Sequence, residues 1–366
     1  MPLYMDVHIV PGVKAKDVAE AHRQDLLHQE EHQCKCMTYW IDEARESIFC
    51  LIDAPDKESV ITMHNKAHGL IPNKIIEVSS NLVESFLGRI YDPSHALTTD
   101  DGLKVFADPS FRFLLVTKTN DPVLLQQALG KEKSHALLRE YKETIHSNIV
   151  KHGGKEAEQH GAGSVISFSN ATHALAFTLD LRQELKHKRF EVLGIRMAIN
   201  AGEPVESSSK LFGDTIQLAQ QLCSVTRHLQ VAISSAAKEL MPPEQLPVNE
   251  NEVLVLSFPD EELLKGLFAQ LETNWQEPGF DAEVFCQAMA MSKSQLYRKT
   301  VALTGLSPNS LVKDFRLEKA KELLKKKRYN IAQVTFETGF SSPSYFTKCF
   351  KKKYGLLPMA YLELLD

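Results

Sequence analysis

The stretch MSKSQLYRKTVALTG, residues 291–305, holds the pattern that decides the fold of the C-terminal part of this chain. Ser292 stands where a helix begins, and Gln295 follows three positions later, so the two side chains can form a capping box. Gly305 then ends the helix, because glycine readily adopts the left-handed conformation found at helix C-termini. The stretch predicts one short helix with hydroxyl, amide and basic side chains on one face.

The same design returns at residues 330–355, NIAQVTFETGFSSPSYFTKCFKKKYG. Asn330 and Gln333 repeat the capping box, and Gly355 closes the last helix of the stretch. With a short helix upstream of residue 291, the two stretches predict two helix-turn-helix pairs in an all-α unit, residues 260–366.

A longer amphipathic helix is predicted to join the two pairs. Its expected limits are Pro308 and Lys326, and a helix of this size spans roughly 28 Å. Successive major-groove faces on one side of B-DNA are about 34 Å apart. The joining helix therefore has the right order of length to set two recognition helices one turn of DNA apart.

The net charge of the C-terminal part of the chain is opposite in sign to that of the rest. Residues 281–366 hold 15 Lys and Arg against 8 Asp and Glu, a net charge of +7, whereas residues 1–280 hold 27 against 39, a net charge of −12. A basic unit on an acidic body predicts a polyanionic partner for the basic unit, and double-stranded DNA is such a partner.

Residues 291–324 and 331–362 resemble the DNA-binding domain of the AraC/XylS family of bacterial transcription regulators, through MSKSQLYRKTVALTGLSPNSLVKDFRLEKAKELL and IAQVTFETGFSSPSYFTKCFKKKYGLLPMAYL. The resemblance implies binding to a promoter or operator. The groove-facing residues that it implies are Ser294, Tyr297 and Arg298 in the first recognition helix and Pro343, Ser344, Thr347 and Lys348 in the second.

The two recognition helices are not expected to contribute equally. Arg298 suits a bidentate contact to guanine. Pro343 has no backbone donor and Ser344 is short, so we expect the second helix to hold phosphates more than it reads bases. The basic runs 325–328 and 351–353 are further candidates for phosphate contact, or are simply solvated.

The first 79 residues predict a separate unit. Strands are indicated at 3–10, 37–40, 47–53 and 74–78, and helices at 14–31 and 55–67. The order βαββαβ predicts a ferredoxin-like plait.

Histidines are concentrated in this N-terminal unit, which holds six of the fourteen. His64 and His68 are spaced i, i+4, which places both rings on one helix face, and His8 shares a strand face with Asp6. Such groups suit a divalent transition metal; the alternative is that they are surface or packed histidines. The candidate ligands of a metal or a small effector are His8, His22, Cys50, His64 and His68.

Four segments of residues 1–78 resemble a family of small ferredoxin-like proteins described as nickel-binding: DVHIVPG, AHRQDL, YWIDEARESIFCLIDAPD and HNKAHG. The resemblance favours nickel, zinc or copper as the cofactor of the unit.

Residues 80–110 contain a stretch rich in Asp, Pro, Thr and Gly and predict a linker, and residues 111–257 predict an α/β unit. Within the latter, the segments 151–170, 193–205 and 210–222 resemble a class III nucleotidyl cyclase domain, through KHGGKEAEQHGAGSVISFSN, LGIRMAINAGEPV and KLFGDTIQLAQQL. In its family this fold pairs with a copy of itself, which implies a homodimer.

The catalytic positions of that family are altered in this chain. The resemblance implies two carboxylates for metal ions, where this chain has Lys118 and Ala162, and an Asn and Arg pair, where it has Gln217 and Gln221. Because a lysine repels the metal ions that a carboxylate attracts, we expect no cyclase activity and no enzyme. Retained nucleotide binding is the weaker alternative.

Together these patterns predict a multidomain α+β chain followed by an all-α unit. The absence of an apolar run of 18 residues and of a signal peptide predicts a cytoplasmic protein with no membrane partner, and the six scattered cysteines are expected to be free thiols. The predicted function is that of a sequence-specific transcription regulator whose N-terminal units sense a metal or effector and control dimerisation. The alternatives are a nucleotide-sensing or weakly active cyclase-like enzyme with a DNA-binding unit, and metal storage or trafficking.

Overall fold

The N-terminal unit is a four-stranded antiparallel sheet with two helices on one face. The computed structural model describes residues 1–94, 96–100, 102–160, 163–246 and 252–365. The elements of the unit are β1 (Leu3–Ile9), α1 (Ala15–His28), β2 (Lys35–Asp42), β3 (Ser47–Asp53), α2 (Lys57–Ala67) and β4 (Lys74–Val78). Their order and the sheet order β2-β3-β1-β4 confirm the predicted ferredoxin-like plait.

Both faces of this sheet are buried. Successive strand residues point to opposite faces, so Tyr4 packs with the residues beneath α1 and α2, whereas Met5 packs on the other side. On that second side, Met5 and Trp40 share one apolar core with Phe86 and Phe212, which lie outside the plait. The plait is therefore joined to the rest of the chain through its own sheet.

The predicted linker, residues 80–110, is held by fixed contacts. It contains α3 (Ser80–Leu87), β5 (Leu97–Thr98) and β6 (Lys104–Val105). The Arg89 guanidinium lies 4.4 Å from the ring centroid of Trp40, and its Nε donates to Asp108 Oδ2 at 2.8 Å. The contact with Trp40 ties the segment to the plait, and the bond to Asp108 joins two parts of the segment to each other.

The middle unit contains a six-stranded mixed sheet with helices on both faces. Its elements are β7 (Arg112–Lys118), α4 (Pro122–Leu129), α5 (Lys131–His152), β8 (Lys155–His160), β9 (Gly163–Phe168), α6 (Ala171–Glu184), β10 (Arg196–Gly202), α7 (Gly213–Val225), β11 (Val231–Ile233), α8 (Ser235–Glu239) and β12 (Val253–Val255). The sheet order is β12-β11-β10-β7-β9-β8, with parallel pairing only among β10, β11 and β12. The edge strands β8 and β12 were not predicted, because Ala157 is the one apolar residue in the sequence of β8 and β12 has only three residues.

The C-terminal unit consists of helices, as predicted. They are α9 (Phe258–Asn274), α10 (Ala282–Ala288), α11 (Lys293–Thr304), α12 (Pro308–Lys325), α13 (Ile331–Glu337), α14 (Pro343–Tyr354) and α15 (Pro358–Glu363). The joining helix α12 contributes Leu311 to the core of the first helix-turn-helix pair and Leu317 and Leu324 to the core of the second. One helix thus holds both pairs.

Among the described residues, none of the helices combines the length and the apolar character that crossing a bilayer requires.

Candidate nucleic-acid interface and metal centre

The two predicted recognition helices begin on capped N-termini. The Gln295 amide N donates to Ser292 Oγ at 3.3 Å, and the Ser292 amide N donates to Gln295 Oε1 at 3.0 Å, which completes the capping box of α11. The Tyr345 amide N donates to Ser342 Oγ at 3.4 Å at the start of α14. Each cap fixes the first turn of its helix, which is the part that enters a groove in helix-turn-helix proteins.

On α11 the predicted contact residues are exposed. Tyr297 has 58% of its surface exposed, and Ser294 and Arg298 are exposed beside it. Leu296 and Thr300 are buried on the opposite side. Within the described residues no hydrogen bond or ion pair engages the guanidinium of Arg298, so it is available to an external acceptor.

On α14 the predicted residues Pro343, Ser344 and Lys348 are exposed, while Thr347 is partly buried. Phe346 and the other aromatic residues of this helix that face inward pack into the second core. The exposed face of α14 therefore offers the hydroxyls of Ser344 and Tyr345 and the ammonium group of Lys348, but no guanidinium such as Arg298 provides on α11.

Three lysines of the basic runs are already engaged within the chain, among them Lys327, whose Nζ donates to the carbonyl oxygen of Leu365 at 3.2 Å. Lys325 Nζ lies 2.9 Å from Asp121 Oδ2, and Lys353 Nζ lies 3.2 Å from Glu318 Oε1. The Asp121 carboxylate also accepts from Tyr361 Oη at 3.0 Å. The contacts of Asp121 dock the C-terminal unit on the start of α4 of the middle unit. Lys326, Lys351 and Lys352 are left as the lysine candidates for phosphate contact.

The second candidate site is a buried cluster beneath α1 and α2 of the N-terminal unit. His64 Nε2 lies 2.9 Å from Asp6 Oδ2, and His8 Nε2 lies 3.5 Å from Asp6 Oδ1. Cys50 lies beside them on β3, where its backbone N donates to Asp6 Oδ1 at 3.3 Å. One potential ligand atom from each of Asp6, His8, Cys50 and His64 lies within 4.8 Å of those from the other three.

The other nitrogen of His64 takes part in a second group. His64 Nδ1 lies 3.0 Å from Asp25 Oδ1, and His68 Nε2 lies 3.1 Å from the same oxygen. Of the predicted ligands, His8, Cys50, His64 and His68 are thus brought together. His22 is not in either group: its ring centroid lies 5.3 Å from that of Tyr39, and it lines the adjoining small cavity.

The charges of the cluster stabilise one another without a metal ion. Burial of His64 by itself would lower its pKa, but the carboxylates of Asp6 and Asp25 raise that pKa to about 10. Burial would likewise raise the pKa of Asp6, yet the imidazoles of His64 and His8 hold it well below its usual value. In the metal-free cluster the positive charge between the two carboxylates is therefore that of protonated His64.

The ligand set fits a borderline divalent metal. Imidazole nitrogen, thiolate sulfur and carboxylate oxygen together suit nickel, zinc or copper better than magnesium or calcium. Burial raises the pKa of the Cys50 thiol, so the metal-free cysteine is protonated, and a bound ion would have to displace that proton as well as the one that His64 carries. Asp6, His8, Cys50 and His64 are the residues that would hold the ion.

The two aspartates of the cluster were not among the predicted ligands. Asp6 precedes His8 by two residues, which is the spacing that places two strand residues on one face. Asp25 follows His22 by three residues on α1, one turn along the helix. Their spacing from His8 and His22 is the feature of the sequence that could have identified these two aspartates.

Three of the positions that the predicted cyclase resemblance singles out fall where the middle unit meets the C-terminal unit. Lys118, Gln217 and Gln221 line one cavity there. Lys118 Nζ donates to the carbonyl oxygen of Gln220 at 3.0 Å, and no described carboxylate pairs with it. Ala162 lies outside the described residues.

Comparison with known families confirms the predicted resemblance of the two terminal units. The model of a helix-turn-helix domain family matches residues 285–363, and the model of nickel responsive proteins similar to SCO4226 matches residues 4–78. The C-terminal unit is an AraC-type helix-turn-helix domain, and the N-terminal unit is a domain of the second family.

Three individual proteins indicate the extent of these similarities. The HTH-type transcriptional regulator MtrA of Neisseria gonorrhoeae is 29% identical over 248 residues, which is 66% of this chain and 77% of that protein. Histidine kinase P4 of Formosa agariphila is 36% identical over 127 residues, 35% of this chain, and the chain spans only 9% of that protein. An adenylate cyclase from Trypanosoma brucei of known structure is similar over 37% of this chain and 78% of that one, with 16% identity and a TM-score of 0.33.

Proposed function

We propose, on the premise that residues 285–363 belong to the helix-turn-helix domain family, that this chain is a DNA-binding transcription regulator. The observation that carries the proposal is the exposed face of α11, where Arg298 has no partner among the described residues, within a segment, residues 281–366, whose net charge is +7. Arg298 and Tyr297 would read base edges in one major groove, and α14 would hold the phosphates of the next through Lys348 and the amides of its first turn.

The length of α12 supports the use of both helices on one DNA molecule. Its 18 residues span about 27 Å, the same order as the 34 Å between successive major-groove faces. Because α12 is buried in both cores, it fixes the spacing of the two pairs.

Selection of bound sequences from a random DNA pool, followed by the same selection with Arg298→Ala, tests this proposal. We expect a bipartite site with two half-sites about one helical turn apart, and loss of base preference in one half-site for the variant. Arg139→Ala, which removes an exposed arginine on α5, is the matched control. Recovery of no preferred sequence by the unaltered chain would overturn the proposal.

We further propose that the N-terminal unit binds one divalent transition metal ion at Asp6, His8, Cys50 and His64. The observation that favours this is the convergence of four buried ligand atoms. Chain purified without a His-tag should contain or take up nickel, zinc or copper, and Cys50→Ser should weaken uptake. Absence of all three metals, with no uptake on titration, would contradict it.

In this proposal the units are residues 1–79, 80–110, 111–257 and 260–366, and the middle unit passes the state of the metal site to the DNA-binding unit as part of a homodimer. Light scattering of the full chain tests the homodimer; a monomeric mass at all concentrations would contradict it. We expect no cyclic nucleotide from ATP or GTP with Mn²⁺, because Lys118 stands where a metal-binding carboxylate is required. Detectable turnover would favour a cyclase-like enzyme instead.

A further inference from the structure

A cavity of about 970 Å³ separates the middle unit from the C-terminal unit. One wall is formed by the end of β7, the start of α4 and α7, and the other by α12 with the C-terminal ends of α11 and α14. Its volume is in the range of cavities that hold small molecules. The chemistry of the two walls differs.

The wall from the middle unit carries two cations without a counter-ion. Lys118 and Arg196 are directly opposite each other in the antiparallel pair of β7 and β10, and both line the cavity. Among the residues that the structure describes, no carboxylate lies within ion-pair distance of either. Like charges directly opposite each other in a sheet are destabilising.

The burial of Lys118 is a second unfavourable contribution to stability. Lys118 is largely enclosed, and the loss of solvent lowers the pKa of its ammonium group. Its described hydrogen bond goes to a neutral carbonyl oxygen, that of Gln220. A buried cation without an anion is unfavourable unless a partner is supplied from outside.

A buried polar group beside these cations also lacks a partner. Gln221 lines the same wall with 7% of its surface exposed, and its Oε1 has no hydrogen-bond donor among the described residues. Buried side-chain oxygens in native structures are nearly always paired. The wall thus presents two cations and one acceptor to the cavity.

The carboxylates of the opposite wall are engaged by their own neighbours. Glu318 lies 2.8 Å from Lys321 Nζ and accepts from Tyr354 Oη at 2.8 Å. Asp121, at the edge of the cavity, is paired with Lys325. Glu322 also lines the cavity, 4.0 Å from Lys319, and its charge and that of Glu318 act on Lys118 only from beyond ion-pair distance. The cations that lack a carboxylate at ion-pair distance therefore lie on the β7 and β10 side.

We propose that this cavity binds a small organic anion, a carboxylate or a phosphate ester that also carries a hydroxyl or amino group. Lys118 and Arg196 hold its anionic group directly, without a bridging divalent ion, and its donor satisfies Gln221 Oε1. Since α12 forms the opposite wall, the occupant also contacts the DNA-binding unit. An effect of the bound anion on DNA binding depends on the proposed function, whereas the binding of the anion itself does not.

Thermal unfolding of the full chain, in a chloride buffer with EDTA and without DNA, tests this site. The probes are glycerol 3-phosphate for the phosphate esters and malate for the hydroxy acids, each at constant ionic strength. We expect a saturable rise in Tm with one of them, and at least about a tenfold higher half-saturating concentration for Lys118→Met. Lys133→Met, an exposed lysine on α5, should respond like the unaltered chain.

The probe-free variant provides a second readout. Because Lys118 is an uncompensated cation, Lys118→Met should raise the Tm of the chain in the absence of any probe, which the loss of a merely structural lysine would not do. A lowered Tm for the probe-free variant, or the same response to both probes in Lys118→Met and the unaltered chain, would overturn the proposal. Since no DNA is present, failure of DNA binding leaves these outcomes unchanged.

Discussion

The buried cluster of the N-terminal unit and the exposed face of α11 are two of the proposed binding sites, and their charged groups are compensated in different ways. In the cluster, His64 lies between Asp6 and Asp25, and each charge has a partner inside the protein. On α11, Arg298 has no described partner and is open to solvent. The cluster therefore contains a cation that partly compensates its two carboxylates before any ligand binds, whereas Arg298 has no such partner among the described residues.

This difference predicts how substitutions at each site affect stability and binding. Removing a member of a buried, paired cluster leaves another charge buried without a counter-ion, so stability and binding fall together. Removing an exposed side chain leaves no such charge, so binding falls while stability is kept. The following predictions test this contrast in order of decreasing effect.

The largest effect is expected for His64→Ala. The variant leaves the carboxylates of Asp6 and Asp25 buried without their shared cation, and we expect the free energy of unfolding to fall by about 3 to 5 kcal/mol. Urea unfolding of the metal-free chain measures it. The control His173→Ala, at an exposed histidine on α6, should change the free energy of unfolding little. An equally small change for His64→Ala would show that His64 does not compensate the charges of Asp6 and Asp25.

Asp121→Asn tests a buried carboxylate at the interface of the middle and C-terminal units. The variant weakens bonds from Lys325 and Tyr361, and hydrogen bonds to charged groups contribute about 1.5 to 3 kcal/mol each. We expect a loss of that size in urea unfolding, together with faster proteolysis between the two units. Glu239→Gln removes an exposed carboxylate as the control; equal behaviour of the two variants would contradict the docking contact.

Arg298→Ala should leave stability unchanged and weaken binding to the selected DNA site by about 1 to 3 kcal/mol, because one bidentate contact to a base is lost. Titration of labelled DNA measures the affinity, and urea unfolding checks the stability. A parallel loss of stability would remove the contrast between the two surfaces.

Lys348→Ala should have a smaller and sequence-independent effect. If Lys348 contacts one phosphate, the slope of log affinity against log salt concentration should decrease in magnitude by about 0.9. Titrations at several salt concentrations, on the selected site and on random DNA, measure it. A loss confined to the selected site would instead make α14 a base-reading helix.

The smallest effect is a change in acid stability. Burial alone would raise the pKa of Glu318, but the charges of Lys321 and Lys353 lower it from the usual 4.5 to about 2. The stabilisation of the folded chain by ionised Glu318 is therefore complete above about pH 4.5 and is lost as the pH falls towards 2. Because the side chain is half-exposed, the change is modest, and Glu318→Gln should flatten the dependence of Tm on pH between 5 and 3. Identical curves would contradict the assignment.

The C-terminal unit was the most predictable part of the chain. Capping boxes such as that of Ser292 and Gln295 act within one turn of helix, so their geometry follows from adjacent residues. The metal cluster was predicted only in part. His8 and His64 could be proposed from their spacing, but Asp25 on α1 meets His64 on α2 only after the two helices pack on one sheet.

The sequence by itself determined the order of elements, the helix limits in the C-terminal unit and the division of charge, because these depend on local periodicity and on composition. Only the tertiary structure decided that the plait buries its second face against Phe212, that the predicted linker is held by Arg89, and that Lys118 and Arg196 meet across two strands. Each of these joins residues far apart in the chain. Such contacts depend on which surfaces find complementary partners when the chain folds, and spacing along one segment does not specify that choice.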